Sequence, residues 1–252
     1  MASKNLAKQE QPLEEMTDEI RRNKSIKWYR TKLTRDQLRQ VNQRSDLLGF
    51  AQTLGYLAVI GTTGGLTIYS SMNWPWWVTL LLVFAHGTCT AFLINAVHEL
   101  GHGTVFQTKI WNRVFAHFFA FLGWINHEKF ATSHTRHHRY TLHPPDDLEV
   151  VLPVRLMLKH YLKNAFIDPW TFRRTFKDTV RTARGKFQGK WELTIYPEDR
   201  PETRRPAIRW ARILLAGHGL ILVVSLLSGW WIVPVVLSLN SFHSNWLFFL
   251  CN

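Results

Sequence analysis

Residues 47–97 read LLGFAQTLGYLAVIGTTGGLTIYSSMNWPWWVTLLLVFAHGTCTAFLINAV, without one Asp, Glu, Lys or Arg. A run of that length has no place on a water-facing surface, whereas a bilayer needs about 20 apolar residues for each crossing helix. Ile213 to Asn252 form a second uncharged run. The charge is therefore packed into the remaining segments: 31 Lys+Arg against 18 Asp+Glu give a net +13, and the mean hydropathy of −0.13 averages two unlike kinds of chain. The sequence reads as an all-α integral membrane protein, which excludes a soluble cytosolic enzyme and a soluble nucleic-acid binder. Cys89 and Cys251 both lie inside the uncharged runs, so neither a secreted disulfide scaffold nor a four-cysteine zinc module is expected.

The first run predicts a transmembrane hairpin, two helices of about 24 residues with a tight turn near Ser71-Met72-Asn73. Trp74, Pro75, Trp76 and Trp77 follow, where an aromatic belt and a helix-starting proline belong. No Lys or Arg lies near that turn, and the basic stretch Arg21 to Arg44 precedes the run, so the positive-inside rule points the turn outward and both ends to the cytoplasm. The second run predicts another hairpin, with Ile213–Leu227 entering, a break at Ser228-Gly229 and Trp231–Cys251 returning. Val114–His127 is uncharged for only about 21 Å of helix, less than the roughly 30 Å hydrocarbon core, and is expected to be a re-entrant or interfacial helix. In that case the segments on either side of it share one face of the membrane. Pro144–Arg212 is basic overall and reads as a cytoplasmic cap against the headgroups rather than a nucleic-acid site. The expected organisation is a basic cytoplasmic segment 1–46 without a signal peptide, a hairpin 47–97, histidine-bearing segments and cap 98–212, and a second hairpin 213–252. Within the first segment, Thr34-Arg35-Asp36-Gln37 fits a capping box ahead of a short amphipathic helix, Leu38–Asp46.

The histidines are unevenly placed. His98-Glu99-Leu100-Gly101-His102 follows the first hairpin, and His134-Thr135-Arg136-His137-His138 follows the short apolar stretch. On a helix, positions i, i+3 and i+4 share a face, so each box aims its imidazoles in one direction. Imidazole suits zinc, copper, iron and nickel alike. A single tetrahedral zinc needs three or four protein ligands, so five histidines from two segments suit a two-metal centre, with iron the favoured metal.

This arrangement resembles the membrane fatty acid desaturase and hydroxylase superfamily over roughly Trp74 to Asn252. Trp111-Asn112-Arg113 and His138-Arg139-Tyr140 look similar to its sphingolipid-desaturase branch. The resemblance implies two iron ions held by His98, His102, His134, His137 and His138, dioxygen as co-substrate, and an acyl chain that loses hydrogen from two neighbouring methylenes. It also implies a third histidine box beyond the fourth span, where this sequence stops at Asn252; a truncated chain is the expectation. No haem motif, iron–sulfur cysteine set or dinucleotide fingerprint is present, so an external electron donor of the b-type cytochrome or ferredoxin class is expected. The implied location is the endoplasmic reticulum membrane in a eukaryote or the inner membrane in a bacterium.

The same boxes serve hydroxylases and ketolases, which remain alternatives. His98 to His102 also matches HExxH, with Glu99 as the general base of a membrane zinc protease, and a non-enzymatic scaffold is a further alternative. In the desaturase reading Glu99, His143, Asp146 and Asp147 are candidates to orient ligand rings. His127 is expected to touch solvent rather than join the boxes. His86, Asn95, Asn240, His243 and Asn245 either line a lipid tunnel or hydrogen-bond between helices. His117, His160 and His218 stand at background.

Overall fold

The computed structural model describes residues 31–150 and 158–251, and the expectations for residues 1–30, for the side chain of His160 and for Asn252 lie outside the described residues. Regular structure among the described residues is helical, apart from one isolated antiparallel bridge between Ile167 and His243. Helix α1 (Arg35–Val41) starts at the expected capping box, in which the Gln37 N–H donates to Thr34 Oγ1 and the Thr34 N–H donates to Gln37 Oε1. It ends before Asp46, because Ser45 caps a separate helix, α2 (Asp46–Asn73), by accepting from the Leu48 N–H.

Helix α2 has 28 residues, about 42 Å, and runs through the expected turn at Ser71-Met72-Asn73. The reversal falls later, at Trp74-Pro75, where proline supplies a fixed φ and no N–H just ahead of α3 (Trp76–Thr90). The two helices pack side by side, with Ser70 Oγ donating to Thr79 Oγ1 in the buried seam. After a short irregularity at Ala91-Phe92, α4 (Leu93–Gly101) continues the direction of α3. Its buried residues Leu93, Val97 and Leu100 sit at i, i+4 and i+7 and join Phe106, Phe119 and Ala120 in the main apolar core. At about 100° per residue, His98 and His102 fall on the opposite side of that helix, so burying one face presents the other.

Helix α5 (Lys109–Leu122) packs along α4 and is too short to cross a bilayer, at about 21 Å. Its outer face exposes an apolar stripe, Ile110, Trp111, Val114 and Phe118. A turn at 123–126 leads into α6 (His127–Tyr140), where Asn126 Oδ1 accepts from the Lys129 N–H. Beyond it come α7 (Leu158–Asn164), α8 (Pro169–Ala183), α9 (Lys190–Ile195) and the long α10 (Pro201–Leu227). Lys129 of α6 bridges Asp178 of α8 at 2.9 Å and Glu192 of α9 at 2.5 Å, which ties these helices onto α6.

Among the described residues, three helical stretches are long and apolar enough to cross a membrane: Arg35–Asn73, Trp76–Gly101 and Pro201–Leu227. The expected return span Trp231–Cys251 departs from a continuous helix. It breaks into α11 (Val233–Leu237), a 3-10 turn (Asn240–Phe242) and α12 (Trp246–Cys251), with Ser244 at φ 58°. Ser238, Asn240, Ser241 and Ser244 compete with helical hydrogen bonding, and the backbone groups released there find other partners. Thr90 Oγ1 donates to the Asn240 carbonyl at 3.0 Å, Trp124 Nε1 to the Ser238 carbonyl at 2.7 Å, and the Ser244 N–H to the Phe166 carbonyl at 2.7 Å. Irregular backbone at membrane depth is tolerated only inside protein, and Ser238, Asn240, Phe242 and Ser244 are all buried.

Candidate metal centre

Both histidine boxes end up on the closing turns of helices. His102 caps α4, and Gly103 follows at φ 65°, a left-handed conformation that glycine adopts freely. His134, His137 and His138 occupy the last two turns of α6. Helix C-termini carry partial negative charge, so two of them meeting favour a cation between them.

The boxes converge. Ligand atoms of His98, His102, His134 and His138 all lie within 4.8 Å of one another. His102 Nε2 stands 3.2 Å from His98 Nε2 and 3.3 Å from His134 Nε2, while His138 Nε2 is 2.9 Å from His134 Nε2. Behind three of the rings stand carboxylates. His98 Nδ1–H donates to Glu99 Oε1 at 2.9 Å, His134 Nδ1–H to Glu149 Oε1 at 2.7 Å, and His137 Nδ1–H to Asp147 Oδ2 at 2.7 Å. A neutral ring that donates from Nδ1 carries its lone pair on Nε2. His98 and His134 therefore aim lone pairs into the same small space, an arrangement that a cation relieves. Burial, and then the neighbouring imidazoles, lower the pKa of His102 and His138 below the ordinary histidine value, which favours the neutral, ligating form. The donor set thus fits a metal of the imidazole-preferring class.

Asp147 organises the loop behind α6. Its carboxylate is fully buried and accepts from the backbone N–H of Glu149 at 2.9 Å and of Leu142 at 2.7 Å besides the His137 ring. Burial alone would raise its pKa, but those hydrogen bonds outweigh it and the net shift is downward. The buried acid stays ionised and holds His137 in one tautomer.

A family model described as fatty acid desaturase matches residues 74–250, well over half of the chain. The chain belongs to the fatty acid desaturase family. The search of curated proteins and the search of solved structures each found no match. Membership makes this a desaturase-like oxidoreductase of the membrane desaturase and hydroxylase superfamily. It also removes the support for the HExxH protease reading, since Glu99 bonds the outer nitrogen of His98, on the far side of the ring from the facing Nε2 atoms.

In this desaturase-family chain, the structure brings together four of the five expected histidines, with His137 alongside at 5.7 Å between ring centroids from His134. Glu99 bonds the ring of His98 and Asp147 that of His137. Asp146 instead pairs with Arg136 at 3.3 Å, and His143 contacts the carbonyls of Tyr140 and Thr141. Glu149 was not legible in the sequence; the loop that Asp147 folds back brings it to His134.

His86 links helices rather than lining a tunnel, with Nδ1 at 2.9 Å from Thr63 Oγ1 and Nε2 at 3.1 Å from the Val236 carbonyl. Asn240 is buried and likewise engaged between elements, Asn245 bonds the Ser241 carbonyl, and Asn95 is exposed. His243 is part-buried beside Gly87, with no hydrogen-bond partner for Nε2. His218 is a buried packing residue, sandwiched between Phe121 and Trp124 and bonded to Ser238 Oγ. His127 does not reach into solvent as expected. Its side chain is 14% exposed, and burial, then His117 and Arg113, lower its pKa to about 4.

Proposed function

We propose that the chain is a membrane-bound, dioxygen-dependent di-iron lipid desaturase that introduces a double bond into an acyl chain. The observation that carries this reading is the convergence of box imidazoles whose outer nitrogens are held by Glu99, Asp147 and Glu149, in a chain of this family. His98, His102, His134, His137 and His138 are the proposed ligands. Bound iron supplies the dioxygen chemistry that takes hydrogen from unactivated methylenes. The chain's own residues fix the rest. The carboxylates set the tautomers, and α4 and α6 set the direction of approach. In the overall reaction two adjacent methylenes lose one hydrogen each, two electrons come from an external donor of the b-type cytochrome or ferredoxin class, and two protons from solvent complete the reduction of dioxygen to two waters.

In the proposed topology residues 47–252 act as one desaturase-like unit behind the basic segment 1–46. Two hairpins, the second with a broken return limb, turn their tips outward. Helix α5 lies in the interface on its apolar stripe, so the box-bearing segments and the cap 98–212 share the cytoplasmic face. Lipid analysis after expression of the full-length protein tests the activity. A new double bond that disappears in the His138→Ala variant is expected. A hydroxylated product overturns the desaturase reading in favour of the hydroxylase, and zinc without iron in the purified protein overturns the di-iron centre.

A further inference from the structure

Away from the boxes, His117 of α5, His127 at the first position of α6 and its neighbour Glu128 form a second group whose ligand atoms all lie within 4.8 Å of one another. His117 Nε2 and His127 Nδ1 each stand 3.9 Å from Glu128 Oε1, and the two rings are 4.1 Å apart between centroids. Two features go beyond proximity. His117 Nδ1–H donates to the Arg113 carbonyl at 2.7 Å, which leaves the Nε2 lone pair facing the group, as an outer hydrogen bond does for a metal-bound histidine. His127 Nδ1 is buried and has no hydrogen-bond partner, a costly condition for a polar atom unless something meets it.

We propose that His117, His127 and Glu128 form a mononuclear zinc site, separate from the histidine boxes, that clamps α5 to the first turn of α6. Two imidazoles, one carboxylate and an open fourth position for water make a known zinc donor set. Bonds of about 2.0–2.2 Å place tetrahedral ligand atoms roughly 3.3–3.6 Å apart, so the two 3.9 Å spacings to Glu128 need a contraction of about 0.3–0.6 Å. His117 and Glu128 are 30% and 32% exposed, which leaves an approach for the ion and its water. Two of the three donors are imidazole nitrogens, so the site favours zinc over calcium or magnesium, which depend on accumulated anionic oxygen. The surroundings are already braced: Trp210 packs on His117 at 4.8 Å and donates Nε1–H to the Ile125 carbonyl, and Asn126 Nδ2 donates to the Ala207 carbonyl. The ion would fix the direction in which α6 leaves the turn, and with it the helix that carries the second box.

The test is zinc stoichiometry of the metal-stripped, full-length protein in detergent, loaded with zinc alone. The H98A/H102A/H134A/H138A variant retains one zinc per chain, and adding H117A removes it. A quadruple variant that binds none, or keeps its zinc after H117A, overturns the proposal. A second measurement is independent of that variant's folding. In the otherwise unaltered chain, H117A and E128Q each lower zinc content by one ion per chain. Equal zinc content in the parent and both variants overturns the site, whatever metal the boxes hold.

Discussion

A ligand ring is only as well aimed as the group behind it. Asp147 and Glu149 hold the outer nitrogens of His137 and His134, so D147N and E149Q are expected to weaken iron binding about 10- to 100-fold. D146N, whose partner is Arg136, should leave affinity within about twofold. Competition against a chelator of known affinity distinguishes the three. The boxes were legible because helical spacing is a property of a few consecutive residues. Glu149 was not, because its contact with His134 depends on the reversal that buried Asp147 builds from Leu142 to Glu149.

Tyr196 gives a second residue-level prediction. Its hydroxyl donates to the Glu128 carbonyl at 3.1 Å, and burial raises its pKa to about 12 from 10.0. A folded-state pKa above the unfolded value means that the stabilisation is complete below pH 10 and is lost as pH rises from about 10 to 12, a linkage of about 2–3 kcal/mol. Thermal melts across that window should show a smaller alkaline loss for Y196F than for the parent; parallel curves would contradict it.

Among the elements, the broken return limb is the least legible feature and the most demanding of its neighbours. Its uncharged composition continues without interruption, so sequence pattern alone reads a span, whereas the decisive contacts come from distant helices. Gly87 of α3 is one of them. A Cβ there would meet the His243 ring at 2.1 Å and its carbonyl oxygen at 2.9 Å. Because backbone as well as side chain must shift, G87A is expected to destabilise by about 1–3 kcal/mol. At Gly61 of α2 nothing lies within 4 Å, so G61A should gain up to about 1 kcal/mol from helix propensity. Opposite shifts in melting temperature check the pair. The starts at Thr34 and Pro75 were easier to read, because these residues act through their immediate neighbours, whereas the Ser45 cap was missed and a helix was expected to run through it to Asp46.

For the molecule as a whole, the proposed topology places the Trp74-Pro75 reversal and the boxes on opposite sides of the bilayer. Single cysteines introduced at Met72 and at Thr135, with Cys89 and Cys251 replaced by serine, should react with an impermeant thiol reagent from opposite faces of sealed vesicles. Labelling of both from one face would refute the proposed topology between the Trp74-Pro75 reversal and the second box. The joint position of the boxes was foreseeable from the shortness of 114–127, but the interleaving of α6, α8 and α9 was not, since it rests on Lys129 meeting acids from two later helices.

The anchoring of three rings by Glu99, Asp147 and Glu149 has a kinetic corollary. Because the orientational entropy of those side chains is spent during folding, capture of an ion calls for little rearrangement. Loading should then run at the pace of ion arrival and dehydration, with only a small accompanying change in helix content.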